Sequence, residues 1–133
     1  MKEKIISFET AKLAKELGFD IPLRQENNVY NTLNKNIDKK LRSNQIKNWN
    51  NSKYINICSA PTQSLLQKWL REKHNINVIT IPKLWNEGVI YYYYDIYTIE
   101  YIIAYKRSMQ NFKTYEKAFE EGLYDALLIL KNK

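Results

Sequence analysis

The sequence predicts a small single α+β domain: N-terminal helices, a three-stranded antiparallel meander and a C-terminal helix. Three observations carry that reading: a capped amphipathic segment near the start, three β-rich runs between residues 75 and 106, and a capped, apolar-striped segment at the end. The 133 residues suit one core, 1–133, better than two. A hydrophobic fraction of 44% excludes wholesale disorder. Three glycines and three prolines are too few for the many turns of an all-β sandwich.

Residues 7–18 read as the first helix. Ser7 caps it, Thr10, Leu13, Ala14 and Leu17 share a face, and Gly18 supplies the stop, with Phe19 placed for the accompanying apolar contact. Pro22 then breaks the chain. Val29, Leu33, Ile37 and Leu41 recur every four residues and predict a helix over 28–43, against the weak helix propensity of Asn27, Asn28, Asn31, Asn34 and Asn36. Residues 44–52 read as loop and 53–58 as a short extended segment. Ser59 or Ala60 lies in the cap region of the next helix, with Pro61 in its first turn, and the pattern runs to about His74. Its buried stripe is Leu65, Leu66, Trp69 and Leu70, and its outward side Ser64, Gln67, Lys68 and Arg71. Residues 75–82, 89–97 and 99–106 are the three strands, with a turn expected within 95–98. Thr114 caps a helix to about Leu130, whose apolar face holds Tyr115, Ala118, Phe119, Gly122, Leu123, Ala126 and Leu130. Gly122 within that face predicts a close approach to the sheet.

The net charge of +7 is concentrated. Residues 1–30 and 76–133 are each balanced, so the excess lies in 31–75: Lys35, Lys39, Lys40, Arg42, Lys47, Lys53, Lys68, Arg71 and Lys73 against Asp38 and Glu72. Such a belt attracts polyanions through counterion release or steers an acidic partner. Frequent lysine in an AT-rich coding sequence explains it equally. The binding candidates are Lys35, Lys39, Lys40, Arg42, Lys47, Lys68 and Arg71. Tyr92 and Tyr94 join them from the Tyr91-Tyr92-Tyr93-Tyr94 run. Strand alternation separates these two from Tyr91, Tyr93 and Tyr97, so that one set packs beneath helices and the other is free for bases or a protein interface.

Catalytic arrangements fail on residue count or spacing. His74 and Cys58 are the sole members of their types, and a helix ~20 Å long separates them. No zinc, EF-hand or phosphate-loop spacing occurs, and Asp95 with Glu100 lacks the Glu-x-Lys of a nuclease carboxylate site. No enzyme and no cofactor is expected. A single cysteine excludes an intramolecular disulfide, the opening residues lack a signal-peptide apolar core, and the longest apolar stretch, 101–105, falls far short of the roughly 20 residues a bilayer requires. A cytoplasmic location and no membrane partner are expected.

The segment Ser59-Ala60-Pro61-Thr62-Gln63-Ser64-Leu65-Leu66-Gln67-Lys68-Trp69-Leu70-Arg71-Glu72-Lys73-His74-Asn75-Ile76 resembles the central block of a group of small phage- and prophage-encoded proteins. Residues 8–20 and 114–123 resemble the opening and closing blocks of the same group, and the three blocks cover under half the chain. Residues 20–58 depart from it: the relatives often carry an acidic, Tyr-rich stretch where this chain is Asn-rich and basic, which marks the insert as the part that sets partner choice. The resemblance implies no catalytic residues. It implies a phage accessory protein that disarms host defence in the bacterial cytoplasm. Its sharpest form is an anti-CRISPR that binds and inhibits an RNA-guided RNase of type VI-B, a host ribonucleoprotein, with RNA contact included. A small nucleic-acid-binding regulator is the alternative.

Overall fold

The computed structural model describes residues 3–23, 29–38, 47–52, 56–100 and 105–133, and bears out the α+β class with a C-terminal helix. The chain divides into two compact units, Met1–Thr62 and Gln63–Lys133.

In the first unit, α1 (Phe8–Glu16) begins where expected. The Ser7 hydroxyl accepts from the Thr10 N–H at 3.3 Å, supplying one of the orphan donors of a helix start. At the other end Gly18 adopts φ 93°, and the Phe19 N–H reaches back to the Ala14 carbonyl at 2.9 Å. Strands β1 (Val29–Asn31) and β2 (Ile57–Ser59) pair antiparallel, with Val29 opposite Ser59. Asn50 ties the loop to both neighbours: its Nδ2 donates to the Phe19 carbonyl at 2.9 Å, and its Oδ1 accepts from the Ser59 N–H at 2.8 Å.

The helix expected over 28–43 is a correction. Residues 29–31 are strand and 32–34 turn, and Ile37 bridges back to Tyr30; residues 39–43 lie outside the described set. The asparagines are the cause. Asn31 Oδ1 accepts from the N–H groups of Leu33 (2.8 Å) and Asn34 (3.3 Å), and Asn34 Oδ1 from that of Asn36 (2.9 Å), so side chains claim donors that a helix would have used. Lys35 completes the reversal at φ 63°.

The second unit contains α2 (Gln63–His74), β3 (Ile76–Leu84), β4 (Ile90–Thr98), β5 (Lys106–Arg107) and α3 (Tyr115–Lys131), with strand order β3-β4-β5. Helix α2 starts later than expected because Ser59 ends a strand instead of capping the helix. Strand β4 runs on through the turn expected at 95–98 and reverses at Ile99 and Glu100; of the expected third strand, Lys106 is in β5 and 101–104 lie outside the described set. Thr114 caps α3 as expected, accepting from the Lys117 N–H at 3.1 Å. Leu66, Leu70, Ile76, Ile96, Leu123 and Leu127 are fully buried, each contributing about 1.5–3 kcal/mol of transfer free energy. Gly122 lies where a Cβ would stand 2.6 Å from Val78 Cγ1 and 3.0 Å from Tyr94 Cγ, the close helix-to-sheet approach its position implied.

Candidate interaction surface

Alternation along β4 sends successive side chains to opposite faces. The even-numbered set lies against α3: Tyr94 is 5% exposed, stacks on Phe112 at 6.1 Å, and its hydroxyl donates to Asp125 Oδ2. Burial and that carboxylate push the Tyr94 phenol well above its ordinary range, so it stays a neutral donor. Tyr92 is half-buried and meets Tyr115 edge-to-face, with ring centres 6.1 Å apart. Tyr94 as an outward binding residue is therefore corrected: the face it shares with Tyr92 is the one the helix covers.

Among the described residues, the odd-numbered face is the one left open. It carries Tyr91, Tyr93, Asp95 and Tyr97 from β4, opposite Lys83, Ile81, Ile79 and Asn77 from β3. Ile79 is 46% exposed, and the three tyrosines are half-buried. At its centre Asp95 is fully buried, and Arg107 from β5 reaches it with two charge-assisted hydrogen bonds, Nε to Oδ1 at 2.7 Å and Nη2 to Oδ2 at 2.8 Å. The Tyr97 hydroxyl adds a 3.4 Å contact to Oδ2, and the guanidinium carbon lies 5.2 Å from the Tyr93 ring centre. The hydrogen-bonded carboxylate raises the Arg107 pKa further, so the cation is permanent. Asp95 thus fixes the orientation of an Arg whose side chain remains 63% exposed.

The end of the β3–β4 hairpin carries exposed apolar side chains on both sides: Trp85 (51%) and Val89 (46%) follow the odd-numbered face, whereas the paired Leu84 (75%) and Ile90 (48%) lie on the even-numbered one. Trp85 meets Tyr91 edge-on at 6.4 Å, with Lys83 Nζ 5.5 Å from its ring centre. Positive φ at Glu87 (67°) and Gly88 (77°) makes the reversal.

The cations chosen from sequence fall in both units. In the first, Lys35 is exposed in its turn, and Lys47 is half-buried with Nζ 4.8 Å from the Trp49 ring centre; Lys39, Lys40 and Arg42 lie outside the described residues. In the second, Lys68 and Arg71 are exposed on α2 as expected. Gln67, expected beside them, is instead 9% exposed, its amide bonded to the backbone of β3. The residues missed are Arg107, Trp85 and the odd-numbered tyrosines. Alternation separates the two tyrosine sets, but only the position of α3 decides which is covered.

Cys58 is a buried, inert thiol: burial outweighs the nearby Lys15 and Lys12 and pushes its pKa up to about 11. Burial, with Lys133 and Lys73 adding repulsion, lowers the His74 pKa, leaving a neutral imidazole edge-on to Trp69 at 4.7 Å. Among the described residues no group of three or more His, Cys, Asp or Glu side chains could hold a metal, and no helix is long and apolar enough to cross a membrane. Comparison with protein-family models, curated proteins and solved structures gives no match.

Proposed function

We propose that this chain is a phage-derived accessory protein of the host cytoplasm that acts by binding, without catalysis, and that its target is a host defence nuclease of the RNA-guided RNase kind. The observation that carries the binding part is the open sheet face. Tyr, Trp and Arg are the residues that dominate binding energy in protein interfaces, and here an Arg pre-oriented by a buried carboxylate sits among half-buried tyrosines. The face itself is nearly neutral, with Lys83 and Arg107 against Asp95, which favours a protein surface over a bare phosphate backbone. The nuclease target and the phage origin rest on the resemblance of residues 8–20, 59–76 and 114–123 alone. Co-purification with candidate CRISPR effectors, with and without guide RNA, tests the reading. A stable complex accompanying loss of interference is expected; loss of interference with no physical complex would defeat direct binding.

A second reading, a nucleic-acid-binding regulator, draws on exposed Lys35, Lys68 and Arg71. It requires RNA or DNA affinity that falls steeply with salt, and absence of binding at low salt removes it. Reversing Lys35, Lys39 and Arg42 to Glu weakens binding in this reading while leaving folding intact.

A further inference from the structure

Strand β3 is an outer strand of its sheet, and its unused backbone groups form a short self-complementary edge. In β4, Tyr92 exchanges both backbone hydrogen bonds with Phe112 (2.8 and 2.7 Å), and the Tyr94 carbonyl accepts from Ser108 at 2.9 Å, so even-numbered β4 residues point their backbone away from β3. The odd-numbered β4 residues therefore make the ladder with Asn77, Ile79, Ile81 and Lys83, and the even-numbered residues of β3 face outward. Gln67 closes one end of this edge as a stand-in strand: its Nε2 donates to the Ile76 carbonyl (3.3 Å) and its Oε1 accepts from the Val78 N–H (2.8 Å). From Val78 to Leu84 the remaining outward donors are the Thr80 and Leu84 N–H groups, since Pro82 has none. Neither has a partner among the described residues.

We infer that this edge pairs antiparallel with the same edge of a second copy, about a twofold axis through Ile81. In that register Thr80 stands opposite Pro82 of the second copy, and Val78 opposite Leu84. Each free donor then meets a free carbonyl, Thr80 N–H to Pro82 and Leu84 N–H to Val78. The positions where a pairing ladder would need a further donor are the two that have none to give, Pro82 by its ring and the Val78 N–H by its bond to Gln67. Centring on Thr80 instead sets the Leu84 N–H opposite Ile76, whose carbonyl Gln67 already occupies. Centring on Pro82 leaves the Val78 carbonyl unused and sets two donor-less prolines opposite each other. The axis through Ile81 also falls midway between Gln67's closure at Val78 and the strand end at Leu84. The dimer joins the two open faces into one sheet, and it covers apolar surface at Leu84, which is 75% exposed.

Sedimentation velocity on the full chain, with cysteine scanning, tests this. Opposing residues at a non-hydrogen-bonded antiparallel pair lie about 4.5 Å apart at Cα, within disulfide reach. Oxidised Ile81→Cys should therefore cross-link fully, whereas Ile79→Cys, about 13 Å from its copy at 3.3 Å per residue, should not; buried Cys58 gives no background. Thr80→Pro, which removes a donor, should shift the wild-type dimer to monomer. A monomeric wild type with uncross-linked Ile81→Cys overturns the inference, as does equal cross-linking at Ile79→Cys.

Discussion

Replacing Gly122 with Ala sets helix propensity against packing, and the structure decides the sign. An alanine in a helix interior gains about 1 kcal/mol over glycine. At this position the new Cβ would stand 2.6 Å from Val78 Cγ1 and 3.0 Å from Tyr94 Cγ, both distances below those real Cβ contacts show or tolerate freely. Val78 is 7% exposed and β-branched, so its Cγ1 cannot swing aside cheaply, and Tyr94 is held by Asp125. Overpacking of this kind costs about 1–3 kcal/mol. The net expectation is a loss of up to about 2 kcal/mol, read as a lower urea midpoint at unchanged m value. Val78→Ala removes the obstructing methyl, so the double variant should be more stable than the sum of the single effects by at least about 0.5 kcal/mol. A Gly122→Ala variant stabilised by the full propensity gain of about 1 kcal/mol would refute the close approach of α3, and with it the assignment of the Tyr94 side as the covered face.

Gln67→Leu keeps the volume but orphans the Val78 N–H and Ile76 carbonyl; urea titration should show about 1–3 kcal/mol lost, where an outward-facing position would show almost nothing. Leu66→Ala and Trp69→Ala, at 0% and 2% exposure, should each cost about 2–5 kcal/mol by the same titration. Cys58 gives a pH dependence: its thiol titrates near 9.0 when unfolded and about 11 when folded, so its contribution is intact below pH 9 and is lost as pH rises towards 11. Cys58→Ala should therefore lose less stability than wild type between those two values, and parallel curves would contradict the burial argument.

The legible elements were those signalled by local chemistry. Ser7, Gly18 and Thr114 mark helix ends through backbone needs that act within a few residues, and Gly122 betrays a close approach because a lone glycine on an apolar face has few other uses. Residues 28–38 misled for a physical reason: Val29, Leu33 and Ile37 mimic a helical period, but Leu33 is 76% exposed at a turn held by asparagine side chains. The candidate site was less accessible. With tyrosine at both even and odd positions of 91–94, composition cannot say which face is covered. The Asp95–Arg107 pair depends on the register of two strands separated by a reversal, and Gln67 looked like a surface residue because its buried partners are backbone atoms of another element.

Binding through the open sheet face is tested most directly by the affinity of a purified effector–guide complex for wild type and for Tyr93→Ala, with folding of the variant verified by its unfolding midpoint. A central hot-spot tyrosine is worth about 2 kcal/mol or more, so binding should weaken by at least about 30-fold. An unchanged affinity in the folded variant would place the contact elsewhere on the molecule.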